Sequence, residues 1–312
     1  MNNQPIVSIA IPTYNRIPFL RESLASIKTQ TFKDYHVYLF DDGSTEPVEE
    51  EARKIIPDII FIRSEKNEGA HVSIDRALHY KYTSPFFVVF HDDDTMHPRM
   101  IEEQVKLLNR FSDAAFVGTN LTFADDENRM FEFDPTADES IEYEQYPSNI
   151  ELTRAFLRSI HLGFSSVMYR TEYMTDDVQL QLKHFGPNED RPFLVALASS
   201  HPSIFIKNKL LNYRMHPAQD SKTNRLVGSL DIAPTLMSFY RAQLPVPLSH
   251  ADRALFLKQS TNALLDSFCR HASKRESLSA YIKAATVKGL FSWTSINHAG
   301  LRALWRRLWQ KK

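Results

Sequence analysis

The chain has 312 residues, of which 43% are hydrophobic and 24% are charged, and its formal net charge is −1. This composition is typical of a globular protein with one large domain or two smaller ones. A net charge near zero does not indicate the excess of basic residues that is typical of nucleic-acid-binding proteins, so no nucleic-acid partner is expected. Cys269 is the only cysteine, which excludes an internal disulfide and favours a reducing, cytoplasmic setting.

Targeting and membrane-spanning signals are not expected in this sequence. The stretch MNNQPIVSIAIPTYN has neither a basic region nor a long apolar run, so it does not resemble a signal peptide. No segment reaches about 18 apolar residues, so a spanning helix is not expected. The glycine-rich motifs of dinucleotide sites and P-loops are also missing from the sequence.

Strand-like and helix-like patterns alternate over the first 120 residues. This alternation predicts an α/β fold with a mainly parallel sheet covered by helices on both faces. In order, the patterns predict strand 6–11, helix 19–30, strand 35–40, helix 46–56, strand 59–62, a helix ending near 82, strand 86–90, a helix after Pro98 and strand 114–118.

Polar residues follow four of these strands, at the point where each strand ends. They are the stretch Thr13-Tyr14-Asn15, the pair Asp41-Asp42, Asn67, and the cluster Asp92–Asp94. In sheets of this kind, ligands bind beyond the carboxyl ends of the strands. These residues are therefore expected to converge on one binding site.

The second part of the chain changes character. Residues 124–149 are acidic and weakly periodic, which predicts a surface loop or edge hairpin, with a lid over the site as the alternative. From about Leu226, apolar spacing predicts helices over 230–242, 252–269 and 277–290. We therefore expect an α/β domain over 1–222 and a helical region over 223–312.

The stretch FFVVFHDDDTMHP, from Phe86 to Pro98, leads an apolar strand into three consecutive aspartates. Adjacent carboxylates repel one another, so a positive partner or open water must lie beside them. Since Mg²⁺ and Mn²⁺ prefer oxygen ligands, the cluster predicts a divalent cation site. The alternative is a helix cap by Asp94 or Thr95, which explains only one of the three aspartates.

Four stretches, in this order along the chain, resemble motifs of the family 2 glycosyltransferases, which have the GT-A fold. They are VSIAIPTYNR (7–16), SLASIKTQTFKDYHVYLFDDGST (23–45), NEGAHVSIDRAL (67–78) and HDDDTMHP (91–98). The resemblance covers roughly 5–220. It implies a nucleotide-binding half over about 1–120, an acceptor half over about 121–222, and sugar transfer from a nucleotide-diphosphate donor to a glycan or lipid-linked acceptor.

The resemblance assigns a nucleotide pocket to residues near the ends of the first strands. Asp42 is expected to bond the base, which suits the N–H of uracil or thymine, so UDP is favoured and dTDP stays open. A plain strand-ending turn is the alternative for 41–44 and 67–69. The other residues expected around the nucleotide are Pro12, Thr13, Tyr14, Asn15, Asn67 and Gly69.

The resemblance also implies a metal ion, Mn²⁺ or Mg²⁺, bridging the diphosphate. Its main ligand in the DxD-type motif aligns with Asp93, Asp94 is expected to be a second metal ligand, and Asp92 is expected to contact the donor. His91 stands where many members have aspartate, so it ligates the metal, touches the ribose, or does neither.

A later loop, LNYRMHPAQDS (211–221), resembles the family's Tyr-Arg-x-His segment. The resemblance implies that His216 reaches the diphosphate or the metal and that Arg214 contacts the diphosphate. A purely structural loop role is the alternative for both residues.

The segment HFGPNEDRPFLVAL (184–197) resembles the part of the family that carries the catalytic base. Asp190 aligns with the carboxylate that deprotonates the acceptor hydroxyl in inverting transfer. Its predicted place at a helix N-terminus favours the ionised form. A plain N-terminal carboxylate is the alternative.

Three functions are consistent with these patterns. The first is an inverting, metal-dependent glycosyltransferase, expected in surface polysaccharide synthesis. The second is a nucleotidyltransferase on a related sheet, but the first loop IPTYNRIPFL lacks the glycine and lysine that hold a triphosphate. The third is a non-catalytic sugar- or partner-binding module, against which Asp93 and Asp190 argue.

The segment 299–312 ends in LRALWRRLWQKK, where leucines and tryptophans recur at helical spacing among basic residues, and no acidic residue follows Glu276. A basic amphipathic helix with aromatics suits an anionic membrane surface, here the inner face of the cell membrane. Packing on the chain's own domain, or on a partner in a homo-oligomer, is the alternative.

Liposome flotation separates these alternatives for the tail. The full chain is expected to float with anionic vesicles, and a chain ending at residue 298 is expected to stay in the soluble fraction, because the truncation removes the basic and aromatic residues together. Neutral vesicles serve as the control. Equal flotation of the two chains would rule out membrane contact through 299–312.

Overall fold

The computed structural model describes residues 4–123, 140–216, 232–271 and 278–297. The described residues fall into two compact units. The first unit comprises the described residues within Met1–Ser148, His161–Leu180 and Ala196–Pro217. The second unit comprises the described residues within Asn149–Ile160, Gln181–Val195 and Ala218–Lys312. Two of its segments therefore precede residue 222. The domain boundary expected after residue 222 stays a prediction.

The first unit alternates strands and helices as the sequence predicts. Its elements are β1 (Val7–Thr13), α1 (Ile17–Lys28), β2 (Tyr35–Asp41), α2 (Val48–Ile55), β3 (Ile60–Arg63), α3 (Ala70–Leu78), β4 (Phe86–Val89), β5 (Thr95–Met96), α4 (Met100–Arg110), β6 (Phe116–Phe123), β7 (Tyr143–Tyr146), β8 (Met168–Arg170) and β9 (Ser203–Tyr213).

In the described part of the chain, nine strands form one sheet in the order β3-β2-β1-β4-β8-β6-β9-β5, with β7 also paired to β9. The strands β3, β2, β1 and β4 are parallel, which confirms the predicted parallel arrangement. The strand β8 is antiparallel to both β4 and β6, so the sheet is mixed beyond β4. The carboxyl ends of β1, β2 and β4 therefore meet at one edge.

The predicted end of the first strand before Pro12 is wrong. β1 continues to Thr13, with Pro12 in register with Phe40 of β2. The pairing of β1 with β4 ends at Ala10, so β1 has a strand neighbour on one side only at Pro12. Proline has no backbone N–H to donate to a neighbouring strand, so it is tolerated where a strand neighbour is missing.

The core of the first unit lies on the apolar faces of β1, β2 and β4. Val88 of β4 is fully buried, and α1 packs its own apolar stripe against the sheet. Burial of this kind stabilises the fold by about 25 cal/mol for each Å² of apolar surface removed from water. Other fully buried members of this core are Ile9, Ile11, Leu24, Ile27 and Leu39.

The second unit is helical in its described residues. It contains α5 (Asn149–Leu157), α6 (Leu182–Phe185), the start of α7 (Asp190–Leu197), α8 (Ile232–Gln243), α9 (His250–His271) and α10 (Leu278–Val287). The helices predicted over 230–242, 252–269 and 277–290 are thus confirmed in type and position.

A charged pair joins α5 to the start of α9. The Arg154 guanidinium donates from Nε and Nη2 to the two carboxylate oxygens of Asp252, at 2.8 and 2.7 Å. Ser249 caps α9 by accepting the Asp252 backbone N–H at 3.0 Å. The hydrogen bonds from Arg154 hold the pKa of Asp252 below its usual value.

Two sequence predictions fall partly or wholly outside the described residues. Of the acidic stretch 124–149, only 140–149 is described, and its strand β7 pairs antiparallel with β9. The tail 299–312 lies outside the described residues. Among the helices that the structure describes, none is long and apolar enough to cross a membrane.

Replacing Arg154 with methionine tests the ion pair between Arg154 of α5 and Asp252 of α9. At neutral pH, Arg154→Met is expected to lower the free energy of unfolding by about 1 kcal/mol, as for a partly exposed ion pair. Because the folded state depresses the pKa of Asp252, this stabilisation is present above the unfolded pKa and is lost as pH falls through the folded value.

Urea denaturation at pH 7 and at pH 3 measures both effects. Arg253→Met, which removes an exposed arginine from the same helix, is the control and is expected to leave stability unchanged. A difference between wild type and Arg154→Met that stays constant between the two pH values would contradict the assigned cause.

Candidate active site

The three aspartates that follow β4 are buried at the edge where the parallel strands end. Asp92, Asp93 and Asp94 are only 4%, 7% and 1% exposed. Open water therefore does not separate their charges, and each carboxylate needs partners from the protein. Thr13, the last residue of β1, donates its hydroxyl to Asp92 Oδ2 at 2.8 Å and connects the two strand ends.

Asp94 is held from two directions. The Ser165 hydroxyl and the Arg214 backbone N–H donate to its two carboxylate oxygens, the second at 3.1 Å. The helix α4 begins after Arg99 and has no side-chain cap. The capping alternative for Asp94 is therefore wrong, because its carboxylate faces the site instead of the helix.

Asp93 lies between two basic side chains. His216 Nε2 is 2.9 Å from Asp93 Oδ2, and Arg16 Nη1 is 3.4 Å from the same oxygen. Arg16 Nη1 also lies 3.3 Å from Asp92 Oδ1, so one guanidinium spans both carboxylates. The Arg16 guanidinium thus supplies positive charge to a cluster that would otherwise repel itself.

The electrostatics of the cluster agree with this arrangement. Burial, followed by the neighbouring Asp93 carboxylate, raises the pKa of Asp92 to about 7. The same two causes raise the pKa of Asp94 well above its usual range. The protein environment alone thus opposes full ionisation of the cluster, and a bound cation would favour it.

His91, Asp93 and Asp94 each offer one ligand atom, and these atoms all lie within 4.8 Å of one another. Two carboxylate oxygens and an imidazole nitrogen within this distance fit a divalent cation such as Mn²⁺, which accepts both ligand types. Sequence reasoning left the role of His91 open, and the structure brings it to the metal-binding candidates, with Nδ1 3.9 Å from Asp94 Oδ2.

Arg214 lies behind the cluster and is 4% exposed. Its Nε donates to the backbone carbonyl of Asp93 at 2.9 Å, and its guanidinium pairs with Glu22. The guanidinium also lies over the Phe19 ring, 4.8 Å from its centre. In this arrangement Arg214 fixes the chain that carries Asp93, and its expected contact with a diphosphate stays a prediction.

The carboxylate of Asp42 organises the loop after β3. It accepts the backbone N–H of Gly69 at 2.9 Å and that of Glu68 at 3.1 and 3.2 Å. Asn67 Oδ1 also accepts the Gly69 N–H, at 2.8 Å. The predicted pocket residues Asp42, Asn67 and Gly69 are thus brought together, while the contact of Asp42 with a base stays a prediction.

The loop after β1 is tied to the loop after β2. Asn15 has a positive φ of 48°, and its Oδ1 accepts the backbone N–H groups of Thr45 and Glu46 at 2.8 and 3.1 Å. Tyr14 is 38% exposed and Pro12 is buried. The predicted pocket loop is therefore fixed through Asn15, and Tyr14 is its accessible side chain.

Asp41 and Asp42 have different roles although they are adjacent. Asp41 is fully buried, accepts a hydrogen bond from Arg63 at 2.7 Å and accepts the Ser44 backbone N–H at 3.0 Å. For Asp41, the strand-ending turn is the correct interpretation.

Asp190 is the first residue of α7, as the sequence predicts. It is partly buried in the second unit, and Arg191 and Tyr240 are close enough to interact with it electrostatically. Burial raises the pKa of Tyr240 to about 12. A carboxylate at a helix N-terminus beside an arginine is favoured in its ionised form, which a general base requires.

Comparison with known proteins gives the family. The sequence profile of glycosyl transferase family 2 matches residues 8–174, which is more than half of the chain. The chain belongs to glycosyl transferase family 2. The predicted family, the GT-A fold and the assignment as a glycosyltransferase are thereby confirmed.

Curated relatives agree with this assignment. An uncharacterized glycosyltransferase of Methanocaldococcus jannaschii is 25% identical over 72% of this chain and 75% of its own. Two further curated relatives are matched over a third or less of their own length.

Two solved structures share the fold with this family 2 glycosyltransferase. TarS of S. aureus, in complex with UDP-GlcNAc, has a TM-score of 0.62 and 16% identity over 91% of this chain and 81% of that one. The mannosyltransferase PcManGT of Pyrobaculum calidifontis, in complex with GDP-Man and Mn²⁺, has a TM-score of 0.56 and 17% identity over 100% and 89%.

Sequence reasoning missed two residues of this site. Arg16 follows the motif PTYN, and the need for a positive partner beside the aspartates was a usable signal for it. Ser165 lies in a short turn, Phe164–Ser166, just before β8, and nothing in the sequence pattern singles it out. Its contact with Asp94 depends on the antiparallel insertion of β8 beside β4.

Replacing Gly43 with alanine tests the predicted nucleotide pocket. Gly43 has a positive φ of 75°, and an added Cβ would lie 2.7 Å from the Lys66 carbonyl carbon. Gly43→Ala is expected to displace the Asn67–Gly69 loop, to weaken UDP binding, and to cost roughly 1–3 kcal/mol of stability.

Calorimetric titration with UDP and a thermal melt measure the two effects. Gly289→Ala is a matched control, because Gly289 also has a positive φ, of 68°, but a Cβ there would meet no atom within 4 Å. Unchanged UDP binding in Gly43→Ala would show that this loop does not form the pocket.

Proposed function

We propose that this protein is an inverting, metal-dependent glycosyltransferase. It takes a sugar from a nucleotide-diphosphate donor, with UDP favoured, and transfers it to a hydroxyl of a glycan or lipid-linked acceptor in surface polysaccharide synthesis. One observation carries this proposal. The ligand atoms of His91, Asp93 and Asp94 lie within 4.8 Å of one another, at the sheet edge where β1, β2 and β4 end.

The proposed metal is Mn²⁺ or Mg²⁺, held by Asp93 and Asp94 together with His91. When bound, it would act as a Lewis acid that neutralises the departing nucleoside diphosphate. The imidazole of His91 favours Mn²⁺ over Mg²⁺, which prefers oxygen ligands alone. The complex of PcManGT with Mn²⁺ is consistent with this choice.

Two basic residues are proposed to support the metal and the diphosphate. His216 reaches the site through its 2.9 Å contact with Asp93, so it acts as a ligand or orients the ligand. Arg214 holds the backbone of Asp93 and is proposed to contact the diphosphate. Its pairing with Glu22 keeps the guanidinium in place.

The proposed nucleotide site uses the loops after β1, β2 and β3. Asp42 holds the Glu68–Gly69 backbone and, as a carboxylate with about four acceptor positions, retains capacity for the N–H of a uracil. Asp92 is proposed to contact the donor, and Thr13 fixes its orientation. Solved structures of the same fold contain UDP-GlcNAc or GDP-Man, so the fold by itself leaves the base open.

Asp190 is the proposed general base. Its carboxylate would remove the proton of the acceptor hydroxyl as the oxygen attacks the anomeric carbon, with inversion in a single displacement. Its place at the N-terminus of α7 and its interaction with Arg191 favour the charged form that accepts this proton. The acceptor itself is proposed only as a hydroxyl of a glycan or lipid-linked chain.

The setting of the reaction is also a proposal. A cytoplasmic location, with peripheral contact at the inner face of the membrane through 299–312, fits the basic, aromatic composition of that segment. The proposed alternative is that the same segment packs against a second copy of this chain in a homo-oligomer.

Two substitutions separate the proposed metal and base roles. Asp93→Asn is expected to lose Mn²⁺ binding and turnover together, because it removes a charged ligand. Asp190→Asn is expected to keep Mn²⁺ and UDP binding but to lower turnover by about 10²–10⁴, the usual contribution of a general base. Nucleoside-diphosphate release from a panel of sugar donors measures turnover, and calorimetry measures binding.

The control is Asp177→Asn, which changes an exposed aspartate of the first unit and is expected to match wild type. Near-wild-type turnover in Asp190→Asn would remove Asp190 as the base. Full activity of the wild type in the presence of a chelator would remove the metal from the proposal.

A further inference from the structure

Arg16 lies between β1 and α1 and contacts two of the three clustered aspartates. Its Nη1 lies 3.3 Å from Asp92 Oδ1 and 3.4 Å from Asp93 Oδ2, and its side chain is 29% exposed. The two carboxylates are far more buried than the guanidinium, at 6% and 10% side-chain exposure. Arg16 therefore contacts the cluster from its open side.

The charge of Arg16 is permanent, because a guanidinium does not lose its proton in proteins. A divalent cation on Asp93 would share Oδ2, or its immediate surroundings, with this guanidinium. Two positive groups a few ångströms apart repel each other strongly where solvent is largely excluded. Arg16 and a metal ion therefore compete for the same carboxylate charge.

We infer that Arg16 is an internal counter-cation that competes with the divalent metal at Asp93 and moves to the diphosphate when the donor binds. This inference rests on the proposed metal and donor sites. The partial exposure of the side chain leaves room for it to turn away from the cluster. The planar guanidinium matches phosphate oxygens in geometry and charge, so a diphosphate is a suitable second partner.

A thermodynamic consequence follows for the order of binding. In the wild type, a metal ion alone must displace Arg16 from Asp92 and Asp93. This displacement weakens the binding of the metal ion. A nucleoside diphosphate gives Arg16 a new partner, so nucleotide and metal strengthen each other's binding by the same factor. Arg16 is thus a positioning residue that couples the two ligands.

The test is a titration of the full chain with Mn²⁺, followed by electron paramagnetic resonance, without and with UDP. Arg16→Met removes the charge, and Arg16→Gln removes the charge while keeping N–H groups for the carboxylates. Both variants are expected to bind Mn²⁺ alone about five- to tenfold more tightly than wild type, because one nearby positive charge is gone. The additional tightening that UDP causes is expected to shrink.

Two control variants isolate the charge at this position. Arg16→Lys keeps a positive charge and is expected to bind Mn²⁺ with nearly wild-type affinity. Arg21→Met removes another arginine of the same segment, one that pairs with Glu51 instead of the cluster, and is expected to leave Mn²⁺ affinity unchanged. A thermal melt of each variant confirms that the chain is folded.

The outcomes separate the inference from the proposed function. If the wild type binds no Mn²⁺ with or without UDP, the proposed metal site fails and the inference fails with it. If the wild type binds Mn²⁺ but Arg16→Met and Arg16→Gln bind it equally well or more weakly, the competition is refuted while the metal site stands. A lower melting temperature of Arg16→Met and Arg16→Gln without tighter Mn²⁺ binding would show that Arg16 stabilises the fold and does not compete with the metal.

Discussion

The repulsion among three buried carboxylates at the end of β4 is the constraint on which the site depends. Asp92, Asp93 and Asp94 are all at least nine-tenths buried, so water cannot screen them. The protein must therefore bring donors and positive charge to this point. The hydroxyls of Thr13 and Ser165 arrive from the end of β1 and the turn before β8. The remaining partners are the Arg16 guanidinium and the His216 imidazole.

The loops around the cluster are also held by polar contacts. Asp42 fixes the loop after β3, and Asn15 joins the loops after β1 and β2. Each uses a side-chain oxygen to accept backbone N–H groups, which leaves few degrees of freedom near the proposed nucleotide. A site that must hold a charged diphosphate benefits from such preorganised groups, because they need little rearrangement when the ligand binds.

The sequence allowed much of the first unit to be predicted because its signals are local. The parallel strands β1 to β4 follow from apolar runs, and the convergence of Thr13, Asp42 and Asp92 follows from their shared sheet edge. The antiparallel pairing of β8 with β4 and β6 was not predicted, because its three residues carry no distinctive period. The contacts of Ser165 and of the Arg214 backbone with Asp94 depend on long-range pairing that no short pattern encodes.

Roles within the aspartate cluster were harder to predict than its existence. Three identical residues in a row give no pattern that distinguishes them, and only their partners do so. Asp92 faces Thr13, Asp93 faces His216, and Asp94 faces Ser165. The histidine before them, His91, gained its place among the candidate ligands from distance alone.

The central claim is that this strand end delivers metal ligands to a donor diphosphate. A crystal structure of the full chain with Mn²⁺ and UDP, examined by anomalous diffraction at the manganese edge, tests it most directly. One strong anomalous peak bonded to Asp93 is expected, with Asp94 and His91 next to it and the UDP diphosphate on its open side. A manganese peak away from these residues, or UDP bound with no metal at the cluster, would contradict it.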